Sequence, residues 1–125
     1  METIYIPVSL GELIDKLSIL HVKEGRIKDE EKLKNIRKEK ALLTEIAEKI
    51  NIDHHYWYDL VNINEQIWSK EDWIRIKYKK EEYDDTFIKL AQTVHELNDK
   101  RGQIKREINL KYGSDIIEEK YHKEE

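Results

Sequence analysis

The sequence predicts an all-α protein: an antiparallel bundle of about four helices, with a short extended arm in front and a short helix behind. Three observations predict it. The only proline is Pro7 and there are four glycines, so little interrupts a helix beyond the first residues. Apolar residues recur at steps of three and four along most of the chain. Charged residues make up 40% and hydrophobic residues 38%, a balance typical of amphipathic helices with solvated outer faces. At 125 residues the chain suits one domain, spanning 1–125, that buries a core without a disulfide or metal staple.

Ile4, Ile6 and Val8 alternate with Thr3, Tyr5 and Pro7, which predicts an extended arm over residues 1–8. Ser9 to Glu12 has capping-box spacing: the hydroxyl can accept from the Glu12 amide, and the Glu12 carboxylate can reach back. Leu10, Leu13, Leu17 and Leu20 then form one stripe of a first helix that ends near Gly25. Asp29 is the expected N-cap of a second helix, whose Leu33, Ile36, Leu43, Ala47 and Ile50 make a seam widened by Leu42 and Ile46. Residues 51–58 read as a connection rich in histidine and aromatics.

Leu60, Ile63, Ile67 and Ile74 predict one long third helix to about Tyr78. Two rivals stay open over 69–80: a new helix capped at Ser69, or a strand in which Ile74, Ile76 and Tyr78 alternate with charges. Asp84 and Asp85 start the last long helix, with Phe87, Leu90, Ala91, Val94, Leu97, Ile104 and Ile108 on its apolar face. Gly113 stops it, Ser114 is the expected cap of a short final helix, and residues 122–125 are expected to fray.

Composition removes several function classes. Without cysteine there is no disulfide, thiolate zinc site or thiol nucleophile. A net charge of -4 disfavours duplex nucleic acid as a partner. No apolar run approaches the ~20 residues that cross a bilayer, and no secretory leader is visible, so a soluble cytoplasmic protein is expected. The histidines His21, His54, His55, His95 and His122 form no helical pair that would hold a metal. No cofactor loop or metal motif is present.

The informative feature is polar residues set on apolar stripes. Asn98, Arg101 and Lys105 continue the row of Phe87, Ala91 and Val94, so an amide and two cations face partly inward. An inward guanidinium needs a carboxylate or a phosphate. Glu12 and Asp15 on the first helix, and Glu71 and Asp72 with Arg75 on the third, are the carboxylates in question. Two outcomes stay open: an internal salt-bridge network, or an anion site lined by Arg101, Lys105 and Arg106. Tyr56, Trp57, Tyr58, Trp68 and Trp73 suit a core or an interface, and can also stack on a base.

Five stretches together resemble a family of small helical proteins of unknown function found in bacteria and tailed phages. They are Pro7 to Leu17, Lys32 to Arg37, Asn98 to Arg101, Ile104 to Asn109, and Gly113 to Tyr121. Gly25 departs from the pattern, where a larger polar residue is expected before Arg26. The resemblance implies a polar motif that adds Lys16, Glu119 and Lys120 to Glu12, Asp15, Asn98, Arg101, Lys105 and Arg106. It also suggests a phage setting, in which such a protein could sequester a host signalling nucleotide.

The expected function is therefore non-catalytic binding of a small anionic, nucleotide-like ligand by a homo-oligomer. Arg101, Lys105 and Arg106 would hold phosphate and Asn98 would read an amide or hydroxyl edge, with Lys16 and Lys120 added by the resemblance. Two alternatives are a Mg²⁺-dependent nucleoside-phosphate hydrolase using Glu12, Asp15, Glu71, Asp72 or Asp99, and a helical adaptor for a partner protein.

Overall fold

The computed structural model describes residues 1–121 and 123. The described residues form four helices: α1 Leu10–Arg26, α2 Glu30–Ala47, α3 His54–Lys79 and α4 Asp85–Lys111. The expected all-α bundle is what forms, and among the described residues there is no strand. The helix starts follow their local caps. Ser9 Oγ accepts from the Glu12 amide at 3.1 Å, Asp29 Oδ1 from Lys32 at 3.0 Å and Asp84 Oδ1 from Phe87 at 2.9 Å.

Several expectations are corrected. The connection before α3 is shorter than 51–58, because helix begins at His54. Neither rival for 69–80 forms: α3 runs unbroken to Lys79. The capping box is only half made, because Glu12 turns its carboxylate to Lys105 at 2.6 Å. The final short helix is absent. Ser114 Oγ accepts from the Leu10 amide at the start of α1 and donates to the Ile116 carbonyl, so it opens no helix of its own. Residues 114–121 instead run irregularly beside α1 and α4, tied by Ser9 to Glu118 at 2.7 Å and by Arg106 to Glu119 at 2.9 Å. The expected fraying of 122–125 concerns residues that, except for Lys123, lie outside the described ones.

The bundle is uneven. α1 packs on each of the other helices and α3 pairs with α4, whereas the backbone of α2 approaches only α1. One cluster of the core is Ile14, Tyr56, Leu60 and Ile108, flanked by Leu10, Ala47, Ile52, Trp57, Ile104 and Tyr112. Close approach of α1 to α4 depends on Gly11: a Cβ there would strike the Lys105 carbonyl. At the same crossing the Gly11 amide donates to Asn109 Oδ1 at 2.7 Å.

Having one neighbour, α2 buries only Leu33 and Ile36 fully. Leu42, Ile46 and Ile50 of its intended seam stay exposed. The arm, residues 1–8, forms neither helix nor strand, and Ile4 and Ile6 are 72% and 70% exposed. Arm and α2 together border an apolar groove of about 600 Å³. No helix of the described chain is long and apolar enough to cross a membrane.

Candidate functional site

Asp15 lies at the centre of the bundle and is fully buried. Arg101 of α4 meets it through two parallel bonds, Nε to Oδ1 at 2.9 Å and Nη2 to Oδ2 at 2.5 Å. Such forked pairs are among the stronger hydrogen bonds because both partners carry charge. The carboxylate raises the Arg101 pKa, chiefly through those hydrogen bonds and against the penalty of burial. From α3, Asn64 Nδ2 donates to the same Oδ1 at 3.1 Å and to Ser18 Oγ at 2.8 Å. Ser18 Oγ in turn donates to the Asp15 carbonyl at 2.6 Å. Three helices thus converge on one buried carboxylate.

Lys105 lies one turn beyond Arg101. Its ammonium donates to Glu12 and also stands 3.9 Å from Asp15 and 3.8 Å from Glu118. Every fully enclosed side-chain nitrogen and oxygen among the described residues has a partner. The enclosed polar atoms of the seam are therefore all paired, as buried charges require, while the Arg101 guanidinium stays partly open to solvent.

An open cleft adjoins that network. It has a volume of about 230 Å³ and lies between α1, α3 and α4. Ile19, Val22 and Ile67 are its apolar lining, and Asn64, Trp68, Glu71, Asp72, Arg75 and Arg101 complete it. Arg75 makes no ion pair among the described residues, and neither do Glu71 and Asp72. The cleft therefore offers two guanidinium groups, two carboxylates and an indole around an apolar floor.

The residues proposed from sequence are not gathered into one site. Arg101, Glu71 and Asp72 share this cleft. Lys105, Glu12 and Asp15 are committed to the internal network. Arg106, Glu119 and Lys120 border a different cleft of about 400 Å³, where Arg106 pairs with Glu119 and Lys120 donates to the Asn98 backbone carbonyl at 3.3 Å. The Asn98 side chain makes only a long 3.5 Å contact with Arg101. Lys16 stands apart on the apolar groove, 3.8 Å from Glu12. No group of three or more histidine or carboxylate residues able to hold a metal occurs among the described residues.

Asn64, Ser18 and Asn109 were not singled out from sequence. The signal existed, because Asn64 sits on the Leu60, Ile63 and Ile67 stripe and Ser18 follows Ile14 by four. Asn and Ser are common on helix surfaces, so period alone gave them little weight.

The family of unknown function DUF6165 matches residues 4–124. The chain belongs to that family. No curated protein and no solved structure matches it.

Proposed function

We propose that the protein is a non-catalytic binding protein that holds a small anionic, nucleotide-like molecule in the α1–α3–α4 cleft. The carrying observation is the state of Arg101. Asp15 grips one side of its guanidinium, so the group is oriented before any ligand arrives and its outer N–H groups remain for one. Arg75 supplies a second guanidinium, without an ion pair among the described residues, suited to phosphate. The Trp68 indole and the aliphatic floor suit a ring. A cytoplasmic setting, where nucleotides abound, belongs to the same reading.

The test is calorimetric titration with nucleoside monophosphates. Saturable binding, weakened at least tenfold in Arg75→Glu at unchanged thermal stability, is the expected result. If no member of the panel binds, the reading fails. A hydrolase would instead turn the panel over when Mg²⁺ is added.

A second reading rests on a different observation. The arm, the exposed face of α2 and the turn after it leave Ile4, Ile6, Leu42, Ile46 and Ile50 uncovered beside one groove. Such a patch suits docking of another protein surface, including a second copy in a homo-oligomer. Light scattering separates the cases: a monomer at high concentration that Ile46→Asp leaves unchanged counts against the oligomer.

A further inference from the structure

We propose that the free end of the α3–α4 hairpin is an interface for a second copy of this chain, the basic end of α3 in one protomer lying on the acidic start of α4 in the other. This does not depend on what the cleft binds, and it uses a different surface from the groove beside α2.

The first observation is length. α3 runs for 26 residues and α4 for 27, whereas α1 runs for 17 and ends at Arg26, which bonds to Glu65 and Ser69. Past Ser69, α3 continues to Lys79, roughly 15 Å further at 1.5 Å per residue. No residue from 65 to 93 is buried, although the stretch holds Trp73, Ile76, Tyr78, Tyr83 and Ile88, each 43–63% exposed. Two helices alone cover only the stripe between them, and a bundle covers more by adding further helices. With about 150–250 Å² for a large aromatic side chain, these five expose apolar surface on the order of 500 Å². A standard interface takes about 800 Å² from each partner, a little over half of it apolar. The hairpin end therefore carries the apolar share of one standard interface.

Charge points to the partner. Residues 70–80 carry five basic and two acidic side chains, and residues 81–90 carry four acidic and one basic. Within the chain Lys77 uses this opposition, pairing with Glu82 and Asp84. Lys79, Lys80, Glu81 and Asp85 are exposed and make no ion pair among the described residues. A surface basic on one helix and acidic on the next complements its own copy: about a twofold axis each basic segment meets an acidic one, and the contact is made twice. The stripes agree with the charges. Trp73, Ile76 and Lys80 follow at steps of three and four on one face of α3, and Asp85 and Ile88 at a step of three on α4. Laid across each other they set apolar against apolar and Lys80 toward the partner's Asp85. Trp73 is the residue type that most often dominates such surfaces.

The experiment measures the mass of the full chain by light scattering over a range of concentrations, with circular dichroism as the check on folding. Two charge variants are made: Lys79→Glu with Lys80→Glu, and Glu81→Lys with Asp85→Lys. Both leave Lys77, Glu82 and the Asp84 cap in place. The expected result is a dimer of the 15.2 kDa chain. Each charge variant alone should dimerise at least tenfold more weakly, because both helices then carry one sign, and an equimolar mixture of the two should recover the dimer. Trp73→Asp, at an exposed position, should give a folded monomer. A chain that stays monomeric at the highest concentration overturns the proposal. So does a dimer that Ile46→Asp dissolves while Trp73→Asp and both charge variants leave it intact, since the groove beside α2 would then hold it. Failure of the mixture to recover a dimer that each charge variant has lost overturns the pairing of α3 with α4.

Discussion

The two sides of α1 are treated in opposite ways. Toward α3 and α4 it places Asp15 and Ser18 in full burial, and each polar group there is met by a partner from another helix or the local backbone. On the other side the groove beside α2 and the arm leaves apolar side chains uncovered. The cause is the number of neighbours. A side chain between three helices is approached from two directions, so even a carboxylate can be satisfied. α2 has one neighbour, and an amphipathic helix with a stripe wider than one contact leaves part of that stripe bare.

The comparison can be broken most strongly at Asp15. Asp15→Ala removes the acceptor shared by Arg101 and Asn64 and leaves a half-buried guanidinium unpaired. Urea unfolding should show a loss of about 3 kcal/mol or more, the scale of a broken buried pair. A loss below about 1 kcal/mol would mean that water replaces Asp15.

Next in size is Gly11→Ala. The new methyl group would press on the Lys105 carbonyl and on Asn109 Oδ1, so α1 and α4 must separate. The expected destabilisation is about 1–3 kcal/mol, read from the same denaturation midpoint. An unchanged midpoint would show that this crossing yields easily.

A smaller effect of opposite sign is expected at the end of α3. Glu81 sits at φ 57, where Gly113 ends α4 at φ 64. Both ends close with a backbone bond spanning five residues, from the Glu82 amide to the Lys77 carbonyl at 2.9 Å and from the Ser114 amide to the Asn109 carbonyl at 2.8 Å. Glu81→Gly relieves the left-handed strain and should stabilise by about 1 kcal/mol, visible as a rise in Tm.

The smallest effect sharpens the other side of the comparison. Ile46→Asp alters an exposed position of α2, so the stability of an isolated chain should stay within about 0.5 kcal/mol of the original. A larger loss in dilute solution would mean that this face is covered.

Local chemistry was legible in the residues themselves. Ser9, Asp29, Asp84 and Gly113 mark helix ends because a cap acts within three or four residues of itself. The scarcity of proline and glycine, with the spacing of Leu60, Ile63, Ile67 and Ile74, was enough for an unbroken α3. Period also turned Arg101 and Lys105 inward and required a counter-charge, which Asp15 and Glu12 supply.

What the sequence by itself determined, then, is the helices, their ends and the need for charge pairing inside. Only the tertiary structure decided which groups meet. Arg101 and Asp15 are 86 residues apart, and their pairing depends on how α1 crosses α4 over Gly11. The same crossing lets Lys105 take Glu12 from its capping box and brings the Leu10 amide to Ser114, leaving no final helix. The position of α2 bared Ile46, and the convergence of three helices selected Asn64 from many surface-like polar residues. The physical reason is range. Capping and periodicity are set by neighbours along the chain, whereas a buried polar group is settled by whichever helix the packing brings within hydrogen-bond distance.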